Sequence, residues 1–374
     1  MAESLSGTVR RILAVGSVRQ ERIVLRIRMI HLIRLAVVIS SVLALQNCAR
    51  VIEPPEDVAF VNTTSNLLPD SLLIQAVLRG ERSDANASWW GFSETNATSM
   101  LQDAINSGAK VVFVPKMGQP WTVDPLFLAS NQEIVFERGV TVLARKGSFK
   151  GRFEDLVAAE GKENIIIRGY GAKFEMRRED YVGPEYVRGE WRHCLALHGA
   201  KNIRIYGLRL VKAGGDGLFI GEGPDNFCSN ILIQDVECDS NYRQGISVIS
   251  AKGLTIENCR LTNTYGTAPQ AGIDLEPDAP YHQLVDCTIR GCYITGNRYY
   301  GIVVSMIKYD SSSTPVSIRI EECWVSENSD GSQMLALAIV GPAPQFTNKL
   351  GTVYIVNNNL FGLQLFRNTS GLSF

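Results

Sequence analysis

Gly217-Leu218-Phe219-Ile220, Gly245-Ile246-Ser247-Val248, Gly272-Ile273-Asp274-Leu275 and Gly301-Ile302-Val303-Val304 are four versions of one short strand. Their glycines stand 28, 27 and 29 residues apart. A weaker earlier copy is Cys194-Leu195-Ala196-Leu197. A second strand recurs between them, as Asn202-Ile203-Arg204-Ile205, Asn230-Ile231-Leu232-Ile233, Gly253-Leu254-Thr255-Ile256, Asp286-Cys287-Thr288-Ile289 and Ser317-Ile318-Arg319-Ile320. Each alternates apolar residues with a period of two. A third apolar pair follows in each unit, at Leu208/Leu210, Val236/Cys238, Cys259/Leu261, Cys292/Ile294 and Cys323/Val325.

A period in the twenties with two or three short strands describes one coil of a solenoid. Leucine-rich repeats share the period but need a leucine pattern and helical segments that are missing. Propeller blades need about 40–45 residues and four strands. The pattern therefore predicts an all-β fold, a single-stranded parallel β-helix with a short N-terminal capping helix. Asn241, Asn297 and Asn328 fall at a common turn. Asparagine tolerates left-handed backbone, and stacked side-chain amides can bond to one another.

Outside the repeats, Ala97 to Asn106 reads as an amphipathic helix that starts near Asn96 and stops at Gly108. It is placed to cover the open apolar end of the solenoid. Trp89 and Trp90 read as packing beside it. Residues 49–88 show little pattern and read as a linker, so the β-helix domain is expected over 89–374, with the cap at 89–115 and coils at 116–362. Residues 1–48 read as a targeting segment: Arg22, Arg26, Arg28 and Arg34 precede an apolar run from Leu35 to Leu45, too short to span a bilayer. Met29 is a sensible start for such a segment, and export is the expectation. Leu45-Gln46-Asn47-Cys48 resembles a lipoprotein cleavage box, so Cys48 is a candidate lipid anchor.

Composition narrows the function. The chain has 374 residues, 45% hydrophobic and 20% charged, with a formal net charge of −1. That supports a sizeable core and offers no basic excess for nucleic acid. Eight cysteines in an exported chain first suggest disulfides. Cys259, Cys292 and Cys323 instead occupy one slot in successive coils, as a stack of small core residues would.

With the common glycine as position zero, alternation turns position one inward and positions two and four outward, toward water. Position two reads Ala196, Phe219, Ser247, Asp274 and Val303; position four reads His198, Gly221, Ile249, Glu276 and Ser305. Asp274 and Glu276 therefore share one outward ledge, about 7 Å apart at Cα. Paired carboxyls at such range suit glycoside hydrolysis, in which one protonates the leaving oxygen and the other assists at the anomeric carbon. Mutual repulsion should raise one pKa. Asp216 lies just before Gly217 on the same side, as an assisting acid. Substrate contacts are expected from Arg243, Gln244, His193, His198, Asp278 and Tyr300, with Arg243 able to take a uronate or sulfate. Long connections near 177–192, 222–229, 264–270, 277–284 and 306–315 are expected to wall a groove.

The run Gly91-Phe92, Leu101-Gln102-Asp103-Ala104-Ile105, Val114-Pro115 and Phe136-Glu137-Arg138-Gly139-Val140 resembles the N-terminal cap of pectate-lyase-superfamily proteins. The coils that follow resemble right-handed β-helix proteins of bacterial polysaccharide degradation. The resemblance covers about residues 90–362 and implies a right-handed coil and a polysaccharide partner. The acid pair is similar to that of β-helical carrageenan hydrolases, which points to hydrolysis of an acidic or sulfated polysaccharide without a required cofactor. The Asn-Thr-Asp, Gly-Asp-Asp, Gly-His-Gly and Arg-Ile-Lys motifs of polygalacturonases are absent, as is the Asp-Pro-His-Asp signature of alginate epimerases. Two other classes stay open. A lyase or epimerase would take its base from Arg243, His198 or Lys212, with Ca²⁺ as an optional ion on Asp274, Glu276 and Asp278. A non-catalytic glycan binder would need neither.

Overall fold

A computed structural model describes residues 69–342 and 349–374. The targeting segment, Cys48 and the first part of the expected linker lie outside those residues. Among the described residues, 29 strands form three parallel sheets of eleven, nine and nine strands. Each coil gives one strand to each sheet. The repeat strands pair in the register expected: Leu218 with Ile246, Ile246 with Ile273, and Ile273 with Ile302. Leu275 is fully buried, so the face assigned to Asp274 and Glu276 is the outer one.

The first coils fold earlier than expected. Residues 69–88 are structured: helix α1 spans Ser71–Leu78 and the strand Asp84–Asn86 pairs with Val111–Val114. Asp70 Oδ1 caps α1 by accepting the Leu73 N–H at 3.2 Å. The pattern was weak because this first strand is three residues long. Helix α2, Thr98–Ile105, is the expected cap, with Leu101, Ala104 and Ile105 buried and Asn96 Oδ1 accepting the Thr98 N–H at 3.0 Å. At the other end, coils continue past 362 through Leu363–Arg367 and Leu372–Ser373, where polar and exposed residues dilute the alternation.

The core follows from the repeat. Cys194, Cys228, Cys238, Cys259, Cys287, Cys292 and Cys323 are all buried free thiols, as the stacking argument requires. Asn241, Asn297 and Asn328 are buried at the common turn. Asn297 Nδ2 donates to Asn328 Oδ1 at 2.8 Å and to the Leu261 carbonyl at 3.2 Å, and its own Oδ1 accepts the Thr264 N–H. None of the three takes left-handed backbone; the residues before them do, at Ser240, Gly296 and Glu327. The ladder explains the invariant glycine. A Cβ on Gly217 would meet Asn241 Nδ2 at 2.6 Å, and one on Gly301 would meet the Ala336 carbonyl at 2.6 Å and Asn328 Nδ2 at 3.0 Å. Cys194 can replace glycine because the residue at the matching turn is Ala213.

Candidate functional site

The site lies on the outer face of the nine-stranded sheet that contains Leu195–His198, Leu218–Gly221, Gln244–Val248, Ala271–Leu275 and Tyr300–Ser305. The residue before the glycine also faces outward. It sits over position two of the following coil. His193 stacks on Phe219 with ring centroids 4.7 Å apart, Gln244 Nε2 donates to Asp274 Oδ2 at 2.8 Å, and Ala271 packs with Val303. Two outward columns thus interlock, and the face changes along the solenoid: histidines and carboxyls on the early coils, then Ala271, Val303, Ala338 and Tyr300 as a small apolar cluster.

Outward does not mean wet. Asp274, Ser247, Asp216 and Gln244 are fully buried. Alternation fixes the side of the sheet a residue takes, but neighbouring long side chains decide its contact with water. Glu276 keeps 32% side-chain exposure and is the surface member of the acid pair. Burial first, and the Glu276 charge second, push the Asp274 carboxyl far above the usual range, against the pull of Arg243. Asp274 is therefore held toward its neutral form, with Gln244 donating to its Oδ2.

Arg243 sits at the centre of this group. Its guanidinium lies 3.3 Å from Glu276, 3.6 Å from Asp216 and 3.7 Å from Glu190. Burial opposes its charge, but Asp216, Asp274, Glu276 and Glu190 together outweigh that and raise its pKa. Asp216 is pushed up to about 7, by burial against the pull of Arg243. Five of the ten buried side-chain polar atoms without a hydrogen-bond partner, among the described residues, belong to this spot: both carboxyl oxygens of Asp216, Arg243 Nε, Ser247 Oγ and Asp274 Oδ1. Most buried polar atoms in folded proteins are paired, so such a concentration singles this spot out as a candidate site.

Beside this centre an open cleft of about 600 Å³ is lined by Phe153, Asp155, Glu160, Trp191, His193, His198 and Phe219, with Gly161, Gly223 and Pro224 at its edge. Phe153 and Trp191 stack with centroids 5.1 Å apart. His198 Nε2 faces Asp155 Oδ2 at 3.2 Å, and Asp155 Oδ1 accepts the His193 backbone N–H at 3.1 Å. His193 joins the cleft to the buried centre: its Nδ1 accepts the Asp216 N–H at 3.0 Å and lies 3.3 Å from Asp216 Oδ2. Burial lowers the His193 pKa to about 4, so the 3.3 Å approach is not an ion pair at neutral pH.

Most of the expected residues converge. Asp216, Arg243, Gln244, Asp274 and Glu276 form the buried centre, and His193 and His198 the cleft. Arg243 is already engaged by Glu276 and Glu190 and lies against Asp216, so it is not a free binder of uronate or sulfate. Asp278 is exposed, its N–H bonded to His282 Nδ1, and Tyr300 packs in the apolar cluster, so neither joins the centre. Among the described residues no three His, Cys, Asp or Glu side chains converge in a metal-holding group. Asp155, Glu160 and Glu190 were missed. Asp155 precedes Leu156-Val157 as His193 precedes Cys194-Leu195, so the repeat carried the signal, but its strand lacks the glycine.

The fold is a right-handed parallel β-helix. Residues 185–362 match the family described as "Right handed beta helix region". Among solved structures, the A-module of the mannuronan C-5 epimerase AlgE6 from Azotobacter vinelandii is 13% identical, with a TM-score of 0.50 over 74% of this chain and 75% of that one. A 1,3-α-1,4-β-D-galactose-4-sulfate-3,6-anhydro-D-galactose-2-sulfate 4 galactohydrolase is 12% identical, with a TM-score of 0.51 over 75% of this chain and 64% of that one. A prophage-derived uncharacterized protein, YorA of Bacillus subtilis (strain 168), is 25% identical over 236 residues, 54% of this chain. The match spans about two fifths of that relative's length, 39%.

Proposed function

We propose that this protein is an exported enzyme that hydrolyses glycosidic bonds of a polysaccharide lying along the outer face of the site sheet. The observation that carries the reading is the cluster of Asp216, Asp274 and Glu276 around one guanidinium, with a proton held on Asp274 and a second held on Asp216 up to about pH 7. Hydrolysis needs one carboxyl that carries a proton and another that is ionised. Glu276, the partly exposed member, meets the sugar, and Asp274, which holds a proton behind it, is the source of the proton that reaches the leaving oxygen. Asp216, across Arg243, is the second carboxyl and acts as base once ionised. Arg243 and Gln244 are positioning residues. The named activities of the two similar solved structures agree with a polysaccharide as substrate.

Glu276→Gln and Asp216→Asn should each lower the rate of glycan cleavage by about 10²–10⁴-fold while leaving glycan binding in place. A Glu276→Gln protein that cleaves at the parent rate contradicts the assignment. The rate should rise with pH to a plateau above about 7, because the ionised form of Asp216 is the active one. A lyase or epimerase has one observation in its favour, the His198–Asp155 pair in the open cleft. Those reactions need an anionic sugar and a cation to neutralise its carboxylate, and Arg243 is already taken. An ultraviolet-absorbing unsaturated product, abolished by His198→Ala, would establish that alternative.

A further inference from the structure

The cleft itself says what sugar it takes. Its lining, drawn from the described residues, holds Asp155 and Glu160 and no lysine or arginine. Behind it, Glu276 and Glu190 flank Arg243, while Asp274 is held toward its neutral form and Asp216 keeps a proton up to about pH 7, so the charge of the face is set by Asp155 and Glu160 on the lining. The field over this face is therefore negative, and it repels a uronate or a sulfate ester. The stacked Phe153–Trp191 pair offers an apolar platform at the cleft wall, with Phe153 70% exposed. Aromatic faces pack well against the C–H faces of a sugar ring.

His193 supplies the second, independent observation. It is 3% exposed and lines the cleft. Its Nδ1 accepts the Asp216 N–H, so the neutral ring carries its proton on Nε2; this tautomer is inferred from the hydrogen bond. No hydrogen bond to Nε2 exists among the described residues. An N–H without a hydrogen-bond partner among the described residues thus sits on a side chain that lines the cleft. His198 gives its Nε2 to Asp155, which leaves Nδ1 to accept. The two rings flank Phe219, at 4.7 and 5.3 Å between centroids. One donor and one acceptor on either side of an apolar ring suit a hydroxyl-bearing, uncharged sugar.

We propose that this cleft is a binding subsite for an uncharged sugar, with Phe153–Trp191 as stacking platform and His193 Nε2–H as its fixed hydrogen-bond donor. The proposal deepens the polysaccharide reading and rests on it, and it replaces the acidic or sulfated substrate that a free Arg243 had suggested. Arg152, whose Cζ lies 5.8 Å from the Trp191 ring, is a cation that an anionic sugar could recruit.

The test is isothermal titration calorimetry of the full chain at low salt. Its probes are neutral oligosaccharides (β-glucan, α-glucan, mannan, xylan and N-acetylglucosamine oligomers) and anionic ones (oligogalacturonate, oligomannuronate and carrageenan oligomers). At least one neutral oligomer should bind, with the anionic ones at least tenfold weaker. Phe153→Ala, at an exposed position that folding tolerates, and Trp191→Ala should each weaken neutral binding about tenfold or more. Glu160→Lys should shift preference toward the anionic oligomers. Tighter binding of an anionic oligomer by the parent, no binding of any neutral oligomer, or neutral binding indifferent to both aromatic substitutions overturns the proposal. Product release is scored separately: neutral binding without cleavage sinks the hydrolase reading and leaves this one, and cleavage of an anionic chain does the reverse.

Discussion

Asp216 and His193 touch, and burial moves their pKa values in opposite directions. Asp216 is raised to about 7 and His193 lowered to about 4. For Asp216, the stability that its proton contributes is fully present below the unfolded value of 3.8 and is lost as pH rises through about 7. For His193 the sign reverses: stability is fully present above 6.5 and is lost as pH falls through about 4. Between those limits the two slopes oppose. Asp216→Asn removes one of them. Its stability relative to the parent, read from urea unfolding, should grow between about pH 4 and pH 8, by at most roughly 4–5 kcal/mol. A difference that shrinks with rising pH contradicts the burial of a protonated Asp216. Arg243→Met should cost about 3–5 kcal/mol, because it strands the carboxyls it now neutralises; a loss below about 1 kcal/mol would mean that the centre is open to water.

At the scale of the element, the turn ladder decides how coils stack. Asn241 and the Asn297–Asn328 pair are separated by Thr264, whose Oγ1 is buried and unpartnered. Thr264→Asn joins the two segments and should raise the unfolding midpoint, a gain of about 1 kcal/mol for each new buried hydrogen bond. Asn297→Ala removes three bonds and should cost about 2–4 kcal/mol. Equal midpoints for the two variants would show the ladder to be ornamental. The ladder was legible as a recurring asparagine, and its companion glycine as a fixed spacing. Their shared cause, a Cβ with no room beside the amide, was not, because it lies between coils. The first strand, Asp84–Asn86, escaped notice since three residues are too few for a period to show.

For the whole molecule, periodicity carried the solenoid, the sheet register and the outward side of Asp274 and Glu276, because each follows from pattern within one chain. Wetness did not follow. Whether Asp274 meets solvent depends on Gln244 and Arg243, long side chains from the preceding coil, and a one-dimensional pattern does not encode how far they reach. Arg243 read alone is an anion binder; among Asp216, Glu276 and Glu190 it is an engaged one. Asp155 and Glu160 on the lining then give the face its negative field and, with it, the preference for an uncharged glycan.

The central claim is that water is added across a glycosidic bond at the Asp216–Arg243–Glu276 centre. Digestion of a bound glycan in water enriched in heavy oxygen, followed by mass spectrometry of the fragments, tests it directly. The account predicts saturated fragments that carry one heavy oxygen at each new reducing end, lost in Glu276→Gln. Unsaturated fragments without the label, or labelled fragments in equal amount from Glu276→Gln, would contradict it.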